Sequence, residues 1–172
     1  AGMDQEKIRV ATPDDAAAVG ELLASSYPVL MASAYEEKAL APALELMTRA
    51  NPVLLSSGRF YVAATPAGLL VGCGGWSLEQ PGTGTLEPGV GHLRHFATRP
   101  AWVGRGLGRA IYRSCEVAAL SAGVLALECY SSLNAVPFYA ALGFGRVRDV
   151  AVELRPGVVL PSVVMRREFR AV

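Results

Sequence analysis

The chain has 172 residues, one ordinary domain's length, and 52% apolar against 18% charged residues suit a compact globule rather than a disordered chain. With 16 basic and 15 acidic residues the formal net charge is +1, so there is no general attraction to nucleic acid or to an anionic membrane, and any basic site must be local. No stretch approaches the ~20 apolar residues that span a bilayer, and Ala1-Gly2-Met3-Asp4 lacks the pattern of a signal peptide. Met3 reads as a native start behind a short remnant, Ala1-Gly2, and residues 1–172 as a single domain. Cys73, Cys115 and Cys129 are sparse and show no CxxC spacing, which argues against a disulfide framework or a metal knuckle. No metal is expected, and a reducing, cytoplasmic setting is the simplest reading.

Lys7 to Thr12 reads as a strand. Thr12 then caps a helix, with Pro13 in the first turn and Asp14-Asp15 at the positive end of its dipole. That helix is expected to reach about Ser25, where Tyr27-Pro28 interrupts it, and a second helix covers roughly Tyr35 to Ala50. Arg59 to Ala64 is rich in aromatic and β-branched residues. It should pair antiparallel with Leu69 to Ser77 across the turn Thr65-Pro66-Ala67-Gly68. Gln80 to Gly91 is a loop and His92 to Thr98 a strand. Gly106 to about Ala122 has helical apolar spacing, so the following strand, Val124 to Cys129, should run parallel to His92–Thr98. Asn134 to Leu142 is a short helix that ends on Gly143 in a left-handed cap. Val147 to Leu154 and Val163 to Phe169 close the chain around Arg155-Pro156-Gly157. This order predicts one mixed sheet with helices on its faces.

Thr98 to Arg109, T-R-P-A-W-V-G-R-G-L-G-R, joins a strand to a helix. Gly104, Gly106 and Gly108 allow a sharp turn and a close approach, and the free N–H groups of the next helix's first turn then face an anion, with Arg105 and Arg109 beside it. A pyrophosphate is the natural ligand, though a tight turn with two solvated arginines accounts for the same residues. A nucleoside triphosphate loop would need a Lys-Ser or Lys-Thr pair, and a dinucleotide fold needs G-x-G-x-x-G after an early strand. Neither is present here.

These residues resemble the GCN5-related N-acetyltransferase (GNAT) superfamily, whose signature at such a turn is [QR]-x-x-G-x-[GA]. Val103-Gly104-Arg105-Gly106-Leu107-Gly108 matches both glycine positions and departs at Val103. Asn134-Ala135-Val136-Pro137-Phe138-Tyr139-Ala140-Ala141-Leu142-Gly143-Phe144 is similar to the family's N-x-x-A-x-x-[FL]-Y-x-x-x-G-F segment, with the early Ala displaced. The resemblance covers nearly the whole chain. It implies the GNAT acyl-CoA N-acyltransferase fold, an α/β (α+β) mixed sheet in the order β-α-α-β-β-β-α-β-α-β-β, splayed between its fourth and fifth strands. It implies acetyl-CoA as the donor cosubstrate. The pyrophosphate would lie on Val103, Gly104, Arg105, Gly106, Leu107, Gly108 and Arg109. The pantetheine arm would pair with the backbone at Phe96, Ala97 and Thr98, beside Phe138, with Asn134 hydrogen-bonding it and the thioester near Tyr139.

Acetyl transfer to an amine requires an ammonium to lose a proton, the thioester oxygen to be stabilised and the thiolate to leave. Tyr139, at the family's catalytic tyrosine position, is the candidate acid for the thiolate. His92 is a candidate base because histidine accepts a proton near neutral pH. Counted back from the glycines without a gap, it lies where histone acetyltransferases of the superfamily carry a glutamate. His95 is its rival: strand alternation sets His92, Arg94 and Phe96 on one face and His95 on the other, unless a bulge intervenes. Covalent acetylation of Cys129 is the mechanistic competitor. Tyr27, Met31, Tyr35 and Trp76 are candidates for an acceptor pocket, though core packing explains them equally. The expected acceptor is a primary amine of a small molecule, with no nucleic acid or membrane partner. A protein N-terminus or lysine is the alternative acceptor, and a non-catalytic acyl-CoA sensor the alternative role. By analogy with relatives, a homodimer would form through sheets or helices.

Overall fold

Seven strands form one sheet in the order β1-β2-β3-β4-β5-β7-β6. In chain order they are β1 (Lys7–Val10), β2 (Phe60–Ala64), β3 (Leu70–Ser77), β4 (Val90–Thr98), β5 (Ala126–Ser132), β6 (Gly145–Arg155) and β7 (Val158–Glu168). The helices are α1 (Ala16–Leu30), α2 (Glu37–Met47), α3 (Pro52–Ser56), α4 (Leu107–Ser121) and α5 (Val136–Ala141). This computed structural model describes residues 6–169. The reading of Met3 as the native start lies outside the described residues.

Only β4 and β5 pair in parallel; every other neighbouring pair is antiparallel. The parallel pair follows from the crossover through α4, as the spacing predicts. Helices cover both faces. α1 packs Val19, Leu22 and Leu23 with Val62, Leu70 and Cys73 on one face. α4 packs Leu107 and Ile111 with Ala63 and Val71 on the other. Neighbouring residues of β2 and β3 therefore serve opposite layers, the period-two logic of a strand buried on both sides. α5 lies with α4 over β5 and β7, where Tyr139 and Leu142 join Tyr112, Leu127, Val163 and Met165. The Arg167 guanidinium fixes this corner by donating to the Leu142 carbonyl (3.0 Å) and the Glu116 carboxylate (2.8 Å).

Three expectations about the helices are corrected. α1 does not break at Tyr27-Pro28 but runs to Leu30 with Pro28 inside it. Pro28 costs the helix one intrahelical bond, the one its missing N–H would have given to the Ala24 carbonyl. Tertiary bonds also hold the turn: Ser26 Oγ donates to the Thr98 carbonyl (2.7 Å) and Tyr27 Oη to the Phe96 carbonyl (3.0 Å). The second helix ends at Met47 rather than Ala50, and α3 is additional. Asn51 caps α3, its side chain accepting from the N–H groups of Val53 (2.9 Å) and Leu54 (3.2 Å), with Pro52 in the first turn. Asn134 falls in a 3-10 turn (Leu133–Ala135) just before α5 rather than in the helix. Gly143 takes the expected left-handed cap at φ 98°, and the Phe144 N–H closes onto the Tyr139 carbonyl (3.1 Å).

Gly75 shows how tightly the centre of the sheet is packed. A Cβ there would lie 2.5 Å from the Arg59 carbonyl oxygen and 2.9 Å from the Phe60 Cα, and backbone in a sheet cannot easily give way. Gly75→Ala is expected to lower stability by about 1–3 kcal/mol. Equilibrium urea unfolding would show this as a lower midpoint at unchanged slope.

Candidate active site

The site begins where two strands part. β4 and β5 pair only at Val90–Ala126, Gly91–Leu127 and His92–Glu128. Beyond that point β4 continues to Thr98 beside β3, while β5 continues to Ser132 beside β7. The gap between them is the splay that the resemblance implied.

β4 is also irregular as it opens. The register with β3 slips between Cys73–Ala97 and Gly75–Arg94, and His95 takes a left-handed backbone at φ 53°. The extra residue is a bulge. Cys73 Sγ donates to the His95 carbonyl (3.3 Å), and the Phe96 ring lies over Gly74, where a Cβ would sit 2.8 Å from its carbons. The bulge overturns the simple alternation of the strand. Arg94, His95 and Phe96 all border one cavity, whereas the His92 side chain, 4% exposed, borders none of those described below.

Two cavities meet in the gap. One, of about 390 Å³, is bordered by Ser26, Thr98, Val103, Gly108, Asn134 and Phe138. The other, of about 530 Å³, is bordered by Arg94, His95, Cys129, Tyr130, Leu154 and Leu160. Tyr27, Met31, Phe96, Ser132, Ala135 and Tyr139 border both. Tyr27 comes from the α1 layer and Tyr139 from the α5 layer, so the sheet's opposite faces each send a phenol to this junction.

The first cavity ends on the glycine turn. Gly104 (φ 84°) and Gly106 (φ 80°) hold left-handed backbone that side chains resist. Gly108 is small for another reason: a Cβ there would lie 2.8 Å from the Phe138 ring. The first-turn N–H groups of α4 have no carbonyl one turn behind them, which is the electrostatic basis of anion binding at a helix start. The Leu107 side chain is buried with Ile111, so only its backbone is offered to a ligand. Arg105 is stacked 4.3 Å over the Trp102 ring, Arg109 is exposed, and Val103 is 53% exposed at the cavity edge. Asn134 supplies the decisive polar group: its Oδ1 is buried without a hydrogen-bond partner and borders this cavity. An orphaned buried acceptor is costly unless a donor reaches it, and a pantetheine amide is such a donor. The Phe96 and Thr98 carbonyls already accept the Tyr27 and Ser26 hydroxyls, and each retains a second lone pair. The Ala97 side chain is buried against α1 in the core.

Burial dominates the site's proton chemistry. It raises the Tyr139 hydroxyl well above a phenol's ordinary value, with the neighbouring thiols and Tyr27 adding to the effect. It raises Tyr27 as well, and pushes the Cys129 thiol up to about 12, so that thiol is not poised for nucleophilic attack. Burial, then the Arg94 charge, pushes His95 down to about 4. His92 is also lowered, by burial first; Glu128 opposes that shift while Arg94 reinforces it. Glu128 is itself held by Arg166 at 2.8 Å.

Two candidates for the acceptor pocket lie elsewhere. Trp76 is 1% exposed in the core beneath Arg59, whose guanidinium carbon is 4.5 Å from the ring. Tyr35 is a tie: its hydroxyl donates to the Pro161 carbonyl (2.6 Å) and accepts the Leu133 N–H (2.8 Å). Tyr27 and Met31 do border the cavities. Sequence reasoning missed Ser26 and Ser132, and it missed the β6–β7 hairpin that brings Val152, Leu154 and Leu160 over the larger cavity. No local motif marks those positions.

A model of the acetyltransferase (GNAT) family matches residues 17–144. The chain belongs to this family. Among solved structures, a GCN5-related N-acetyltransferase from Rhodopseudomonas palustris is 24% identical, with a TM-score of 0.75 over 98% of this chain and 99% of that one. PaiA N-acetyltransferase from Thermoplasma acidophilum, solved with coenzyme A, is 17% identical, with a TM-score of 0.71 over 95% of this chain and 99% of that one. Ard1 from Thermoplasma volcanium is 16% identical, with a TM-score of 0.65 over 97% of this chain and 99% of that one. The search of curated proteins finds no match. The fold is the GNAT fold, with its mixed sheet open between β4 and β5. Among the described residues no helix is long and apolar enough to cross a membrane, and no three His, Cys, Asp or Glu side chains group as metal ligands.

A lowered histidine has a consequence for stability. The unfolded chain takes up a proton at about 6.5, whereas folded His95 takes it up only near 4. Between those values the unfolded state holds more protons, so stability falls as pH drops from 6.5 toward 4. His92 acts in the same direction. The urea midpoint is expected to be lower at pH 5 than at pH 7, with a smaller drop in His95→Gln. An equal drop in that variant would show that His95 is not the responsible group.

Proposed function

We propose that this acetyltransferase moves the acetyl group of acetyl-coenzyme A directly to a primary amine of a small molecule. The observation that carries the reading is the meeting of two cavities at Tyr139. One has an orphaned acceptor and a helix N-terminus suited to a coenzyme A arm, and the other is open to a second reactant. Family membership and the coenzyme A held by the Thermoplasma acidophilum protein support the same donor.

Acetyl-coenzyme A supplies an activated acyl carbon and a thiolate leaving group. The chain supplies the rest. Asn134 Oδ1 accepts from the pantetheine arm, and the first turn of α4 with Gly104 and Gly106 receives the pyrophosphate. Tyr139 keeps its proton at any physiological pH, so its hydroxyl acts as a hydrogen-bond donor to the departing sulfur rather than as a free acid. His95, a neutral imidazole over the same range, borders the acceptor cavity and can accept a hydrogen bond from the attacking nitrogen, whose proton passes on to solvent. His92, outside both cavities, would reach the amine only through an intermediary. The acceptor cavity under the β6–β7 hairpin, about 530 Å³, is of a size that suits a small acceptor.

An assay of free thiol release with acetyl-coenzyme A and a panel of amines tests this reading. Tyr139→Phe is expected to lower kcat by roughly 100-fold with little change in the KM for acetyl-coenzyme A. Asn134→Ala is expected to raise that KM by roughly tenfold, the worth of one buried hydrogen bond. Full turnover by Tyr139→Phe would remove the phenol from the mechanism.

A further inference from the structure

The larger cavity is bordered by a charge without an ion-pair partner among the described residues. Arg94 borders it, half-buried on the bulged part of β4. Other partly buried arginines are compensated: Arg99 pairs with Glu21 at 2.7 Å, Arg166 with Glu128 at 2.8 Å and Arg167 with Glu116 at 2.8 Å. Arg59 stacks on Trp76. Arg94 has no carboxylate within 4.0 Å among the described residues. Its one side-chain bond is from Nη1 to Ser77 Oγ (2.9 Å), and Ser77 Oγ in turn donates to the Glu79 carbonyl (2.8 Å). This chain holds the guanidinium in place and leaves most of its five N–H donors unused.

The rest of the cavity sharpens the point. Glu79, whose charge acts on Arg94, is exposed and does not border the cavity. No Asp or Glu borders it, whereas Arg49 does, on the outer side. The remaining wall is largely apolar, including Met47, Leu93, Val152, Leu154 and Leu160. Burial already disfavours the charged form of Arg94, and a guanidinium so placed gains most from a planar, bidentate anion.

We propose that Arg94 binds a carboxylate on the acceptor itself, so that the amine acetylated is the amino group of an apolar amino acid rather than a simple amine or a polyamine. The inference rests on the acetyltransferase reading above. Arg94, His95 and Tyr139 all border this cavity, so a molecule anchored by its carboxylate on Arg94 would hold its amine in the same space as the imidazole and the phenol. The carboxylate would also offset the Arg94 charge that disfavours a proton on His95, making that imidazole a better acceptor only when the right substrate is bound.

The test compares matched pairs that differ only in the carboxylate: L-phenylalanine with phenethylamine, and L-leucine with isoamylamine. Thiol release is followed with acetyl-coenzyme A, and calorimetry measures binding of L-phenylalanine to the enzyme with coenzyme A. The expected result is a kcat/KM at least roughly tenfold higher for each amino acid, with the ratio collapsing toward one in Arg94→Gln and partly restored in Arg94→Lys. Equal or better use of the plain amines would overturn the inference while leaving the acetyltransferase reading intact. If no amine of any kind is turned over, the acetyltransferase reading fails, and calorimetry decides the inference alone. Phenylalanine binding that Arg94→Gln abolishes would sustain the carboxylate site. Absent binding, or binding indifferent to Arg94→Gln, would overturn it.

Discussion

The site depends on one constraint: the parallel pairing of β4 and β5 stops at His92–Glu128. Two strands that separate inside a protein leave backbone polar groups facing each other across a gap, and buried N–H and C=O groups must find partners. β5 turns its pairing to β7, and β4 keeps β3 on its other edge. The Phe96 and Thr98 carbonyls take hydroxyls from Tyr27 and Ser26, both on the last turns of α1. The same bonds accompany α1 past Pro28. Helix continuity and strand separation are thus parts of one arrangement.

The gap gives the two sheet faces a common interior. Phenols from opposite layers meet there, and the space on either side differs in chemistry. Toward the glycine turn it offers an unpartnered amide oxygen and the positive end of α4. Toward the β6–β7 hairpin it offers apolar walls, a neutral imidazole and a guanidinium with no ion-pair partner among the described residues. The bulge at His95 accounts for the imidazole and the guanidinium, because Arg94, His95 and Phe96 all border one cavity where a regular strand would divide them between faces. Its left-handed residue is the kind of local strain that persists only when surrounding structure enforces it. Cys73 Sγ and the close fit of Phe96 on Gly74 supply that enforcement.

Much of this is legible in the sequence. The glycine turn, the cap at Gly143, the hairpin through Thr65 to Gly68 and the parallel crossover through α4 each rest on local chemistry that tertiary structure did not overrule. α3 went unread, although Asn51-Pro52 repeats the cap-then-proline pattern of Thr12-Pro13. Other features were not legible. Pro28 reads as a breaker because nothing nearby in sequence announces the bonds to β4. The bulge depends on the register with β3, which alternation cannot supply, so the relation of His92 to His95 could not be settled from β4 alone. Trp76 and Tyr35 illustrate the ambiguity of aromatic residues, one a core filler and the other a hydroxyl tie. The state of Arg94 is a matter of what does not face it, and sequence does not record that.

We propose that donor and acceptor meet at Tyr139 inside the β4–β5 gap. A crystal structure of the protein with coenzyme A tests it most directly. The expected result is the pyrophosphate on the first turn of α4, a pantetheine amide hydrogen-bonded to Asn134 Oδ1, and the sulfur within hydrogen-bond reach of Tyr139 Oη. Coenzyme A bound elsewhere, or entering the gap with its sulfur directed away from Tyr139, would contradict it.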